Sequence, residues 1–126
     1  MTNNYELTNN TIDHFGITLY QIKALKDFGD VETGDLGGWI ESEDNLDHSG
    51  NAWVSGNAWV YGDARVYGDA RVYGYAMVFG NARVFEGAFV YGNAMVYGNA
   101  RVSGNAKVCG NARLLEDARV WGGAND

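Results

Sequence analysis

The sequence predicts an all-β solenoid of triangular cross-section, and three observations carry that prediction. From Gly50 to Ala124 the unit Gly-Asn/Asp-Ala-x-Val-x recurs every six residues without an insertion. Ala holds thirteen consecutive register positions, Ala52 to Ala124, and Val holds the position two further on from Val54 to Val120, with Leu114 the one substitute. A period of six is not 3.6, and Gly with Asn or Asp in nearly every unit breaks a helix.

Residues 1–49 read as an N-terminal β-rich cap. Ile17 to Leu25 alternates like a strand, and Tyr5-Glu-Leu is expected to pair with it across a turn near Gly16. Ile40 and Leu46 are six apart, so an imperfect coil begins there, with a two-residue slip before Val54. A cap is useful because the open end of a solenoid exposes unpaired backbone. No comparable cap is expected after Ala124, which leaves the C-terminal edge bare.

Residues 50–126 form the solenoid itself. Ala-x-Val-x alternates with period two, the pattern of a short strand with one buried face. Gly supplies the corner through its tolerance of positive φ, and Asn or Asp tolerates the left-handed region. Three inward turns close an 18-residue triangle, and each coil stacks on the last at about 4.8 Å, the strand spacing. Three corners depart from the pattern: Tyr75 replaces Asn, Glu86-Gly87 moves the glycine one place, and Glu116-Asp117 lacks it. Tyr75 is expected to be strained if it takes a positive φ.

The unit Val-x-Gly-Asn-Ala-x resembles the hexapeptide repeat of left-handed parallel β-helices, over thirteen tandem units. Left-handedness is what that resemblance implies; the general crossover rule favours the right hand. The leader, Leu19 to Asp30 with Asp35-Leu-Gly-Gly-Trp-Ile-Glu-Ser, resembles that of small bacterial and prophage proteins commonly labelled transferases by fold.

Composition excludes several classes. With no proline and one cysteine, Cys109, the chain is neither collagen-like, nor a disulfide scaffold, nor a multi-cysteine zinc protein. No apolar run is long enough to span a bilayer and no secretory leader is readable, so a cytoplasmic location is expected. The net charge of −7 belongs to residues 1–49, which carry ten acids against Lys23 and Lys26. That acidity disfavours general nucleic-acid binding.

Outward positions 18 apart stack in rows. One face carries Arg65, Arg83, Arg101 and Arg119 beside Tyr67, Phe85, Ser103 and Trp121. A second carries Trp53, Arg71, Phe89 and Lys107 beside Ser55, Tyr73, Tyr91 and Cys109. The third carries Trp59, Met77, Met95 and Arg113 beside Tyr61, Phe79, Tyr97 and Leu115. With seven apolar or aromatic residues and one charge, the third face is expected to be a homo-oligomer or partner interface, in a dimer or trimer. The arginine face, with Tyr67 and Phe85, is the candidate site for a phosphate-bearing small ligand; a solvated, solubilising face is the alternative.

Catalytic signals are sparse. Hexapeptide acyltransferases place a histidine base on a coil near a protruding loop, whereas His14 and His48 both precede the regular coils and no loop interrupts the repeat. Two histidines do not make the three-histidine zinc site of the related carbonic anhydrases. Asp47, Asp44 and Glu43 beside His48 read as a solvated acidic loop rather than a metal site. The expectation is therefore a non-catalytic binding or assembly module, acting as a homo-oligomer without cofactor or metal and of phage or prophage origin. A nucleotide- or anion-sequestering protein and an acyltransferase are the alternatives.

Overall fold

The computed structural model describes residues 3–122 and is a parallel β-solenoid preceded by an antiparallel hairpin. The cap contributes β1 (Tyr5–His14), β2 (Ile17–Ala24) and β3 (Leu36–Ile40), followed by a 3-10 turn at Glu43–Asn45. Twelve coil strands follow in order: β4 (Trp53–Val54), β5 (Trp59–Val60), β6 (Arg65–Val66), β7 (Arg71–Val72), β8 (Met77–Val78) and β9 (Arg83–Val84). The series continues with β10 (Phe89–Val90), β11 (Met95–Val96), β12 (Arg101–Gly104), β13 (Lys107–Val108), β14 (Arg113–Leu114) and β15 (Arg119–Gly122).

The strands fall into three sheets, one per side of the triangle: β4-β7-β10-β13, β6-β9-β12-β15, and β3-β5-β8-β11-β14 with the hairpin added at its head. Most coil strands are two residues long, shorter than the four-residue alternation suggests, because each corner takes the remaining four. Register is held at 18 residues: Trp59 pairs with Met77 and Met77 with Met95. Backbone N–H groups bond forward to the next coil, as from Trp59 N to Ala76 O at 3.0 Å and from Tyr61 N to Val78 O at 3.0 Å.

Ala and Val of the inner coils point inward and are fully buried from Ala58 to Val102. Ala is the inward residue beside each corner, where two sides converge and leave little room, while Val fills the flat of each side. In the last coil Ala112, Leu114, Ala118 and Val120 are only partly buried. Ala124 lies outside the described residues.

The cap pairs as the alternation predicts, but β1 is longer than Tyr5-Glu-Leu, running from Tyr5 opposite Ala24 to His14 opposite Ile17. The turn between the strands puts Phe15 and Gly16 at positive φ, 49° and 85°. The slip before Val54 is present: Ile40 pairs with Val60 and Leu46 with Val66, each 20 residues away rather than 18. Gly37 and Gly38 let β3 press onto the first coil. A Cβ on Gly37 would sit 2.6 Å from Val54 O, and one on Gly38 2.8 Å from Ala58 O.

The corners correct one expectation. Positive φ falls on the leading glycine of the units from Gly50 to Gly110, as at Gly74 with φ 71°, and Tyr75 after it is not in that region. The residue that follows needs only an ordinary conformation, so Tyr75 is exposed rather than strained. The same geometry moves the strain elsewhere. Glu86 and Glu116 stand where the other units have glycine and take φ of 58° and 57°, which costs an L-residue roughly 1–2 kcal/mol.

Candidate functional site

The arginine row lies on the β6-β9-β12-β15 side. Arg65 pairs with Arg83, Arg83 with Arg101, and Arg101 with Arg119, so four exposed guanidinium-bearing residues rise in register, one per coil. At the strand spacing of about 4.8 Å, two unit charges repel by roughly 1 kcal/mol even in bulk water. Among the described residues no carboxylate lies within 4 Å of Arg65, Arg83 or Arg101; the ion pairs found are His48–Glu43 and Arg71–Asp30.

A groove of about 810 Å³ runs beside this row. Its second wall is the corner row of Asn81 and Asn99, with Asp63 before them and Asp117 after. The amides form a ladder: Asn81 Nδ2 donates to Asn99 Oδ1 at 3.2 Å, and Asn99 Nδ2 to Asp117 Oδ1 at 3.4 Å. The groove closes at the cap, against Glu41, Ser42, Asp44 and Asn45. Glu43, Asp44 and Asp47 also meet Arg65 and Arg83 in a second hollow of about 570 Å³. The acidic turn thus borders Arg65 and Arg83 without an ion pair to either among the described residues, and Arg101 lies outside this second hollow.

Tyr67 and Phe85, expected to stack on a ligand, stack instead on each other, with ring centroids 5.0 Å apart and planes 3° apart. Ser103 interrupts this ladder and is buried, while its in-register partner Trp121 is mostly exposed.

The third side carries Trp59, Met77, Met95 and Arg113 in register, one per coil. Tyr61, Phe79 and Tyr97 stack at 5.0 and 4.9 Å with planes within 3°. Met77 and Met95 are half-buried beside them and Leu115 is exposed. The first rung is partly covered by the hairpin: the His14 ring packs edge-on against Trp59 at 4.7 Å and Tyr61 at 5.3 Å, and its Nε2 lies 3.3 Å from the Tyr61 hydroxyl. The uncovered apolar stretch therefore begins at Met77 and Phe79. Burial raises the Tyr61 phenol above its ordinary range.

On the second side the cap again covers the first coil. Phe28 packs edge-on against the buried Trp53 at 5.4 Å, and Asp30 pairs with Arg71. That hydrogen bond, with the arginine charge, holds the Asp30 carboxyl below the usual carboxylate range. Cys109 is exposed, as expected.

Both histidines belong to the junction between cap and coils. His48 Nδ1 accepts the Asn4 backbone N–H at 3.2 Å, which leaves the ring proton on Nε2, 2.7 Å from Glu43 Oε1. Asn45 was not singled out from sequence, yet it is the most heavily used polar side chain of the junction. Its Oδ1 accepts from Glu41 N and Ser42 N at 3.1 and 2.9 Å, and its Nδ2 donates to Gly62 O and Ala64 O at 3.1 and 2.8 Å. An Asn three residues after Ser42 was the available signal, because such spacing marks a capping turn.

Three stretches of the coils, residues 64–78, 88–104 and 96–109, match the family described as the YdcK beta solenoid repeat. The protein of Escherichia coli K12 named "Uncharacterized acetyltransferase YdcK" is 47% identical over 38 residues, which are 30% of this chain and 12% of that protein. The match thus spans about an eighth of the relative's length and lends support to the hexapeptide-type resemblance. Among the described residues no helix is long and apolar enough to cross a membrane.

Proposed function

We propose that this protein is a non-catalytic binding and assembly module that works as a homo-oligomer, joined through the flat apolar side of the solenoid. The observation that carries this reading is the Tyr61–Phe79–Tyr97 ladder with Met77 and Met95 alongside. Aromatics and methionine are the residue types enriched at interface centres. Phe79, Met95 and Tyr97 form the middle of the contact, because His14 already shields Trp59 and Tyr61.

The positions of the two histidines support the non-catalytic half. An acyltransferase needs a base free to take a proton from the acceptor. His14 packs against Trp59 and Tyr61, and His48 is held between Asn4 and Glu43. The relative's name keeps acetyl transfer as the competing reading. Light scattering on Phe79→Glu with Met95→Lys tests the assembly half, and the double variant is expected to be monomeric. Acetyl-coenzyme A incubated with amine acceptors tests the other half, with no turnover expected. Turnover abolished by His48→Ala or His14→Ala would overturn the reading.

A further inference from the structure

We propose that the groove beside the arginine row is a binding site for an acidic polysaccharide, a linear chain of uronic-acid sugars laid along the solenoid axis. This inference rests on a different side of the triangle from the assembly contact and stands or falls separately from it.

The two walls of the groove differ in chemistry. One is cationic, with Arg83 and Arg101 exposed in adjacent coils and no carboxylate within 4 Å among the described residues. Its repeat is the strand spacing of about 4.8 Å. Arg71 on the neighbouring side, by contrast, is paired with Asp30. The opposite wall is neutral at its centre, where Asn81 and Asn99 each commit one amide hydrogen to their ladder and keep the other free to donate, and acidic at its two ends, Asp63 and Asp117. A ligand that fits has a regularly spaced anionic edge and a hydroxyl edge.

A uronic-acid chain has that form. Each sugar carries one carboxylate, so the chain presents a regular series of anionic groups to the arginine row. Guanidinium takes carboxylate through paired N–H bonds, which makes arginine suited to the role. Hydroxyls on the other edge meet the amide row. Glu41, Asp44 and Asp63 at the capped end and Asp117 at the far end repel the ligand's charge and centre it on Arg83 and Arg101.

Nucleic acid fits less well. Phosphates along one strand of a duplex advance by about 3.4 Å, out of step with the coils. Single strands bind by stacking bases on free aromatic faces, and the facing surfaces of Tyr67 and Phe85 are spent on each other.

The test is titration calorimetry at low salt with a short oligogalacturonate, set against galacturonate monomer, a neutral oligosaccharide of equal length and oligothymidylate. The expected result is binding of the oligogalacturonate that strengthens with chain length and weakens with added salt. Arg83→Ala with Arg101→Ala should weaken it by about tenfold or more, roughly 1.4 kcal/mol or more, with an unchanged circular dichroism spectrum. Arg101→Gln is the milder variant should the double one misfold. Asn81→Ala with Asn99→Ala should weaken binding without changing its salt dependence. The proposal is overturned if the oligogalacturonate does not bind or if the neutral sugar or oligothymidylate binds as tightly. It is equally overturned if the arginine variants bind like the wild type.

Discussion

The phenol ring of Tyr5 lies flat on the imidazole of His48, with centroids 4.1 Å apart and planes 15° apart. Its hydroxyl donates to Leu46 O at 2.6 Å. One stacked pair thereby ties the first strand of the cap to the segment that starts the solenoid, across a sequence separation of 43.

Alkaline solution should undo this tie. Burial, and then the charges of Glu43, Asp47 and Asp44, push the Tyr5 phenol well above its ordinary value near 10. The neutral phenol is the form the fold favours, so its contribution is complete below pH 10 and is lost as pH rises further. Tyr5→Phe should cost about 1 kcal/mol at neutral pH through the lost hydrogen bond. It should also flatten the fall in stability above pH 10. Urea melts of both proteins across that range check this, and parallel alkaline losses in the two would count against the assignment.

Asn45 should be the costliest polar residue to remove. Asn45→Ala leaves two backbone N–H groups and two carbonyls without their partner, one of the contacts fully buried. A loss of about 2–3 kcal/mol is expected from stranded polar groups, read by thermal or urea denaturation. Asn45→Asp should be nearly as damaging, because a carboxylate accepts but cannot donate to Gly62 O and Ala64 O.

The two misplaced glutamates should respond unequally to glycine. Glu116→Gly relieves a φ of 57° and is expected to stabilise by up to about 1 kcal/mol. Glu86→Gly relieves a similar φ but also removes a carboxylate that accepts the Gly104 N–H at 2.8 Å, so the gain should be smaller or absent. Melting temperatures of the two variants decide it, and an equal gain in both would show that the Glu86 bond contributes nothing.

Much of this architecture was legible because the repeat is strict. Once Ala and Val recur every six residues, the 18-residue register follows, and with it the stacking of Arg65, Arg83, Arg101 and Arg119. The two-residue slip was readable from Ile40 and Leu46 for the same reason. What the repeat does not encode is how the cap lies on the coils. The packing of His14 on Trp59, Phe28 on Trp53 and Asp30 on Arg71 depends on contacts more than 20 residues apart with no period to announce them. The corner strain was misplaced onto Tyr75 because sequence alone does not say which of two consecutive corner residues takes positive φ.

Native mass spectrometry of the purified chain, beside Phe79→Glu with Met95→Lys, bears most directly on the central claim of assembly through the apolar side. A closed dimer or trimer is expected for the wild type, and a monomer for the double variant with its fold intact. A wild type that stays monomeric at micromolar concentration, or a double variant that keeps the wild-type mass, would contradict the account.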